Sequence, residues 1–440
     1  MGSGLMYQAF ARTESVCPEC LRTIAADKAV GDDGYIYMIK TCPEHGSFET
    51  LIWEDGIVDY LKWNTAPGGG NAPDSTVPVK DGCPRDCGLC EEHESAGCCV
   101  LLELTKRCSL RCPVCFASAG EGSGEPTLGE ISALYDMLME RGGPFNIQLS
   151  GGEPTIRDDL PDIVRLGREK GFSFFQLNTN GLRLADEPGY ALMLRSAGVS
   201  CAFLQFDGLC DSTYETLRGR ALLDAKLRAI DNCAAAGLPV VLVPTLVPGV
   251  NVSETGGILR FALSRAPHVR GVHFQPVSYF GRCELSVPEV RLTIPRVLRE
   301  IEAQTDGAMR AADFAGGGAE SAYCSFHASY RRLADGSLQA LPRRRRQCCC
   351  KKSSEARDFV AGRWGAHEQA DGAEDAFDAF LREAGERVFT VSGMAFQDAY
   401  NLDLERLRRC YICEADTKRG MVPFCAYNLT SRSGEYLYRR

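Results

Sequence analysis

The stretch Cys108-Ser-Leu-Arg-Cys112-Pro-Val-Cys115 sets three cysteines at CxxxCxxC spacing. On a loop that curls back on itself, three such thiolates fit three corners of a 4Fe–4S cube and leave one iron without a protein ligand. An open iron is a place where a small molecule can bind and take an electron. Zinc would want a fourth ligand close by, and disulfides do not come in threes.

Further along, Ile147-Gln-Leu-Ser150-Gly151-Gly152-Glu153-Pro154 is an apolar run ending in a Gly-Gly-Glu-Pro turn. Glycines let a backbone approach a ligand closely and adopt dihedrals closed to other residues. A carboxylate beside them can hold an ammonium group, so the turn reads as a strand end that binds an amino-acid moiety. CxxxCxxC after one strand and GGEP after the next resemble the radical S-adenosylmethionine superfamily. The resemblance implies that Cys108, Cys112 and Cys115 hold the cluster and that the methionyl amine and carboxylate chelate its open iron. The turn Ser150, Gly151, Gly152, Glu153 and Pro154 would bind that amine. The superfamily usually has an aromatic just before the third cysteine; here Val114 stands there, and Phe116 is the candidate for an altered adenine contact.

With 440 residues, 45% hydrophobic and 24% charged, the chain is globular and long enough for two or three domains. A formal charge of −9 argues against general nucleic-acid binding. No apolar stretch suits a transmembrane helix and Met1-Gly-Ser-Gly lacks a signal pattern, so a soluble, cytoplasmic protein is expected. In that setting 22 cysteines, grouped as CxxC and CxxxCxxC, read as metal ligands. Cys201, Cys210 and Cys233 fall in strand- and helix-like runs and are expected in the core.

Cys17-Pro-Glu-Cys20 and Cys42-Pro-Glu-His45 flank a strand-like run, so two knuckles would face each other across a hairpin. Cys17, Cys20, Cys42 and His45 suit one tetrahedral zinc or rubredoxin-like iron, closed and therefore structural. A Pro/Gly-rich linker leads to a second CxxxCxxC, Cys83, Cys87 and Cys90, which Cys98 would complete as an auxiliary 4Fe–4S site. Cys99 then reads as a buried bystander.

From there strand and helix alternate. Apolar runs at 100–104, 145–149, 172–178, 200–206, 240–247 and 271–276 are separated by helical patterns such as 128–141, 159–169 and 222–236. The fold class expected is α/β, a (β/α)6 partial TIM barrel with chemistry at the carboxyl ends of its strands. Asn178, Thr179, Asn180, Gln205, Asp207, Thr245 and Gln275 collect at those ends. The resemblance places ribose and carboxylate contacts of S-adenosylmethionine among them, with Asn178, Asn180, Gln205 and Asp207 the candidates. Beyond about residue 310 the regularity fails. Cys410-Tyr-Ile-Cys413 and Cys425 want a fourth partner, for which Cys324 is the candidate and His327 or one of Cys348–Cys350 the reserve, as an auxiliary 4Fe–4S site in preference to zinc. Arg343–Arg346 beside Cys348–Cys350 is a charge run that reads as a solvated loop, with binding of an anionic substrate or lowering of thiol pKa values as the alternative.

The expected domains are 1–65, a zinc-ribbon or rubredoxin-like knuckle; 66–99, linker and auxiliary segment; 100–310, the barrel; and 311–440, a cysteine-rich cluster domain. The order of motifs, from CxxC…CPxH through CPxDCGLCxxH, CxxxCxxCFA and GGEPT to PFCAYN, resembles a narrower subgroup. It includes tetraether lipid synthases, a methylase of methanopterin biosynthesis and the TrsS-type (seleno)proteins. That resemblance implies three 4Fe–4S clusters, one zinc or iron ion, and a 5′-deoxyadenosyl radical used for methylation or carbon–carbon joining on a small or lipid-like substrate. An electron donor such as a flavodoxin or ferredoxin is expected. A peptide-modifying radical enzyme and a non-catalytic electron carrier are the alternatives, and the GGEP turn argues against the carrier.

Overall fold

The computed structural model describes residues 5–64, 77–120, 124–284, 291–318, 320–342, 353–365 and 385–439. β1 (Tyr7–Val16), β2 (Thr23–Gly31), β3 (Ile36–Cys42) and β4 (Gly46–Trp53) form an antiparallel sheet in sequential order. Helix α1 (Ile57–Trp63) follows, and its Tyr60 ring stacks on Tyr323 at 4.2 Å between centroids. The small sheet is also tied to the rest of the chain by Lys28, buried and 2.7 Å from Asp403.

The second sheet begins with β5 (Cys99–Thr105), and a two-residue strand, β6 (Val114–Cys115), lies in the loop after it. Then come α2 (Leu128–Glu140), β7 (Asn146–Gly151), α3 (Leu160–Glu169), β8 (Phe175–Thr179), α4 (Leu182–Asp186), α5 (Tyr190–Ala197) and β9 (Cys201–Gln205). They are followed by α6 (Asp211–Arg218), α7 (Leu223–Ala235), β10 (Val240–Val243), β11 (Thr245–Leu246), α8 (Thr255–Ser264), β12 (Val269–Pro276), β13 (Arg282–Cys283) and α9 (Ile294–Gln304). Helix α2 starts where the sequence supplies a capping box: the Thr127 side chain accepts from the Glu130 N–H while the Glu130 carboxylate accepts from the Thr127 N–H. Val100, Leu102 and Leu104 of β5 point into the apolar layer with Ile131, Tyr135 and Leu138 of α2. Both faces of the strand are buried, which is why it reads as an unbroken apolar run.

The six expected strands stand in the order β5-β7-β8-β9-β10-β12, all neighbours parallel. The regularity expected to end near residue 310 instead resumes. After β14 (Ser325–Arg332), β15 (Leu338–Ala340) and α10 (Ser353–Trp364), β16 (Val388–Met394) pairs parallel to β12, and β17 (Ile412–Asp416) pairs parallel to β5. The last strand, β18 (Gly420–Pro423), pairs with β17. The cysteine-rich tail thus extends both edges of the barrel sheet. Cys201 and Cys233 are buried as expected, whereas Cys210 is exposed, because it caps α6 at the end of a loop and does not lie inside an element. The run Arg343–Arg346 and Cys348–Cys350 lies outside the described residues. No described helix is long and apolar enough to cross a membrane.

Candidate functional site

A cavity of about 400 Å³ opens inside the barrel sheet, walled at one end by Cys108, Cys112 and Cys115. Ser150, Gly151, Gly152, Glu153, Asn178, Asn180, Gln205 and Phe116 also line it, so eight of the ten cofactor candidates meet the three thiols. Asp207 lies behind the wall. It is fully buried, and its carboxylate accepts two hydrogen bonds of 2.7 Å from Arg218 and one of 3.1 Å from the Thr245 N–H. Asp207 thus grips Arg218, which itself lines the cavity.

The cysteine loop is held from two sides. Arg218 donates to the Val114 carbonyl at 3.1 Å, and Arg282 donates to the Cys112 carbonyl at 2.7 Å and to that of Ala119 at 3.0 Å. β6 also pairs with β13, setting Cys115 beside Arg282. Burial pushes the Cys108 thiol up to about 12, and the Glu153 carboxylate and the other two thiols add to this. Burial raises the Cys112 thiol too, and thiols raised in this way are costly as thiolates unless a cation is bound beside them. This soft, convergent donor set fits an iron–sulfur cluster.

The glycines of the GGEP turn serve a closer approach than the one anticipated. Gly151 has φ +120°, and a Cβ on it would lie 2.3 Å from the Thr105 carbonyl oxygen; one on Gly152 would lie 2.1 Å from that of Arg107. The Gly152 N–H donates to Thr105 at 2.7 Å and the Glu153 N–H to Arg107 at 2.9 Å. The turn is thereby laced to the segment that leads into Cys108. The Glu153 carboxylate accepts from the Thr155 N–H and hydroxyl, from the Thr179 hydroxyl at 2.7 Å and from the Asn180 N–H at 2.6 Å. It joins the ends of β7 and β8 as well as facing the cavity. The Asn180 carbonyl in turn accepts from Lys226, a fully buried ammonium whose pKa burial lowers to about 8.

The other cysteine groups draw on segments far apart in the chain. Cys83, Cys87 and Cys90 are electrostatic neighbours, on a turn shaped by Asp86 accepting from three backbone N–H groups. The buried His93 lies 2.8 Å from the Cys410 carbonyl, which ties this segment to the tail. The Cys98 thiol sits 3.7 Å from that of Cys99, with Arg357 and Glu320 among its charged neighbours. Cys99 is buried at the start of β5, as expected, and lines the cavity together with Tyr411. Cys410 and Cys425 have Cys324 as a neighbour, and Cys413 has Cys410. Arg406 donates to the Cys324 sulfur at 3.4 Å. Tyr411 and Ile412, the middle of that CxxC, reach the cavity wall.

At the small sheet Cys17, Cys20, Cys42 and His45 bring one ligand atom each within 4.8 Å of one another, tight enough for a single ion. Burial raises the Cys17 thiol to about 11, while the backbone N–H of Glu44, together with His45, lowers that of Cys42 to about 6. Cys17→Ser is expected to remove one bound zinc or iron per chain and to lower Tm by several degrees, because binding energy at a closed site is folding energy. Metal analysis with calorimetry checks this; an unchanged metal content in the variant would remove Cys17 from the ligand set.

Sequence reasoning missed Arg218, Arg282, Lys226 and His273. Each is an isolated residue whose partner lies on another element, so no local pattern announces it. His273 lines the cavity with its Nδ1 2.8 Å from the Ser392 hydroxyl. Burial holds the imidazole down to about 4. Unfolded, it takes a proton near pH ~6.5. Between about 6.5 and 4 the unfolded chain therefore binds more protons than the folded one, and stability falls as pH falls. His273→Gln should flatten Tm against pH across that window; an unchanged profile would place the imidazole in water.

Residues 102–262 match the Radical SAM superfamily, and residues 9–54 match the HMPTM N-terminal zinc ribbon domain. The chain is 34% identical to the 7,8-dihydro-6-hydroxymethylpterin dimethyltransferase of Methanocaldococcus jannaschii, over 96% of this chain and 94% of that one. It is 32% identical to the GTP 3′,8-cyclase of Rhodopirellula baltica over 40% of this chain and 50% of that enzyme. The crystal structure of Streptococcus suis SuiB bound to S-adenosylmethionine superposes with a TM-score of 0.41 and 14% identity, over 48% of this chain and 47% of that one.

Proposed function

Because the chain belongs to the radical S-adenosylmethionine superfamily, we propose that it methylates carbon on a pterin-type heterocycle, beginning with hydrogen abstraction. The observation that carries this reading is similarity running end to end, through zinc ribbon, barrel and cysteine-rich tail, to a dimethyltransferase of 7,8-dihydro-6-hydroxymethylpterin. A 4Fe–4S cluster on Cys108, Cys112 and Cys115, with S-adenosylmethionine, would supply a 5′-deoxyadenosyl radical able to attack carbon too inert for any side-chain acid or base. Ser150 to Glu153, Asn180, Gln205 and Phe116 orient the cofactor beside the cavity, and Arg218 and Arg282 fix the cysteine loop. The buried walls keep water from the reacting carbon.

The full inventory proposed is three 4Fe–4S clusters, on Cys108/Cys112/Cys115, on Cys83/Cys87/Cys90 with Cys98, and on Cys324/Cys410/Cys413/Cys425, plus one zinc or iron at Cys17/Cys20/Cys42/His45. A flavodoxin or ferredoxin would deliver the electron. Anaerobically reconstituted protein, given reductant, S-adenosylmethionine, 7,8-dihydro-6-hydroxymethylpterin and a methylene-folate donor, should yield methylated pterin detectable by mass. Steady 5′-deoxyadenosine release with no methylated pterin would overturn this substrate.

A further inference from the structure

We propose that an inner tier of the cavity, formed by Gln148, Gln176, His273 and Ser392, recognises an uncharged planar heterocycle and refuses its phosphorylated counterpart; the choice of a pterin as that ring rests on the reading above. Each of the first three lies two residues before a residue of the cofactor end on the same strand: Gln148 before Ser150, Gln176 before Asn178, His273 before Gln275. With a side-chain period of two, they face the same interior one level deeper. Gln148 pairs with Gln176 across β7 and β8, and His273 with Ser392 across β12 and β16. The tier therefore spans both halves of the barrel.

Hydrogen bonds inside the tier run in one direction. Gln176 Nε2 donates to Asn178 Oδ1 at 2.7 Å, and Asn178 Nδ2 donates to Gln148 Oε1 at 3.2 Å. This leaves a donor on Gln148 and an acceptor on Gln176 side by side at the cavity wall, the pattern that complements a ring N–H next to a ring carbonyl or nitrogen. His273, kept neutral by burial and with Nδ1 engaged by Ser392, has Nε2 for the opposite edge. The aromatic walls suit a flat ring: Phe203 lies 5.8 Å from His273 and 6.0 Å, edge to face, from Trp364.

Charge supplies the exclusion. Among the described lining residues the one cation is Arg218, and it is already in a bidentate pair with Asp207. The lining also carries the carboxylates of Glu153 and Glu320. Among the described lining residues a phosphate inside would meet no arginine or lysine without a carboxylate partner, and it would share the wall with the Glu153 carboxylate.

The test is anaerobic equilibrium binding by the holoenzyme of four probes: 7,8-dihydro-6-hydroxymethylpterin, its diphosphate, guanosine and GTP. The expected result is that each neutral probe that binds does so at least about tenfold more tightly than its phosphorylated partner. Gln176→Leu and His273→Leu should each weaken the neutral probe about tenfold, the loss from one buried hydrogen bond. Gln148→Arg should reverse the preference and give measurable binding of the phosphorylated probe, a gain that misfolding cannot produce. Binding of guanosine but not of the pterin, with the same pattern, supports the tier and sinks the pterin reading alone. Equal or tighter binding of the phosphorylated probes by the wild type, indifference to all three substitutions, or binding of none of the four overturns the proposal.

Discussion

Replacing Cys112 by alanine is expected to abolish 5′-deoxyadenosine release altogether, in a chain that still folds around its zinc ribbon and barrel. Cys112 is the buried middle thiol of the triplet, 7% exposed and next to Arg218. On the proposed ligand set, a cluster there would lose one of its three protein ligands. The matched variant is Glu153→Gln, which keeps the shape of the turn but offers one acceptor oxygen where four donors converge. Loss of one charge-assisted hydrogen bond is worth roughly 1.5–3 kcal/mol, so S-adenosylmethionine affinity should fall about ten- to a hundredfold while cluster absorbance persists. Glu153→Ala is a harsher change than the motif alone suggests, because it strands the donors of Thr155, Thr179 and Asn180. Cys410→Ala should leave deoxyadenosine release intact and stop methylated product. If Cys410→Ala silences release as fully as Cys112→Ala in folded protein, the division between initiating and auxiliary cysteines fails.

The second large effect is expected at Arg218. Arg218→Met leaves the Asp207 carboxylate fully buried without its cation, a change that costs about 3–5 kcal/mol when one partner of a buried pair is removed. The Val114 carbonyl and the Thr245 hydroxyl lose a donor at the same time. A lower Tm and a loss of iron from the cysteine loop should appear together. The double variant Arg218→Met/Asp207→Leu separates the two causes. An apolar pair of similar volume can replace a buried ion pair at little cost, so stability should return, while the loop remains without its clamp and deoxyadenosine release stays low. Wild-type release from the single variant would mean that Arg218 holds nothing the cluster needs.

The sequence by itself determined the local chemistry. CxxxCxxC and GGEP are each contiguous, so their ligand geometry follows from short-range backbone constraints, and eight of ten cofactor candidates do face one cavity. The alternating apolar runs likewise set the order of six parallel strands, because burial on both faces leaves its mark residue by residue. Tertiary structure alone decided the rest. The tail strands β16 and β17 flank the barrel on opposite edges, which no period in the sequence signals, since each is one short strand beside an irregular stretch. The Asp207–Arg218 grip and the His273–Ser392 contact join residues 11 and 119 apart. Even the two glycines of GGEP are required by the backbone of Thr105 and Arg107, a neighbour visible only once β5 and β7 lie side by side. A contact between distant residues is fixed by the packing of whole elements, and an isolated polar side chain carries no periodic trace of which element it will meet.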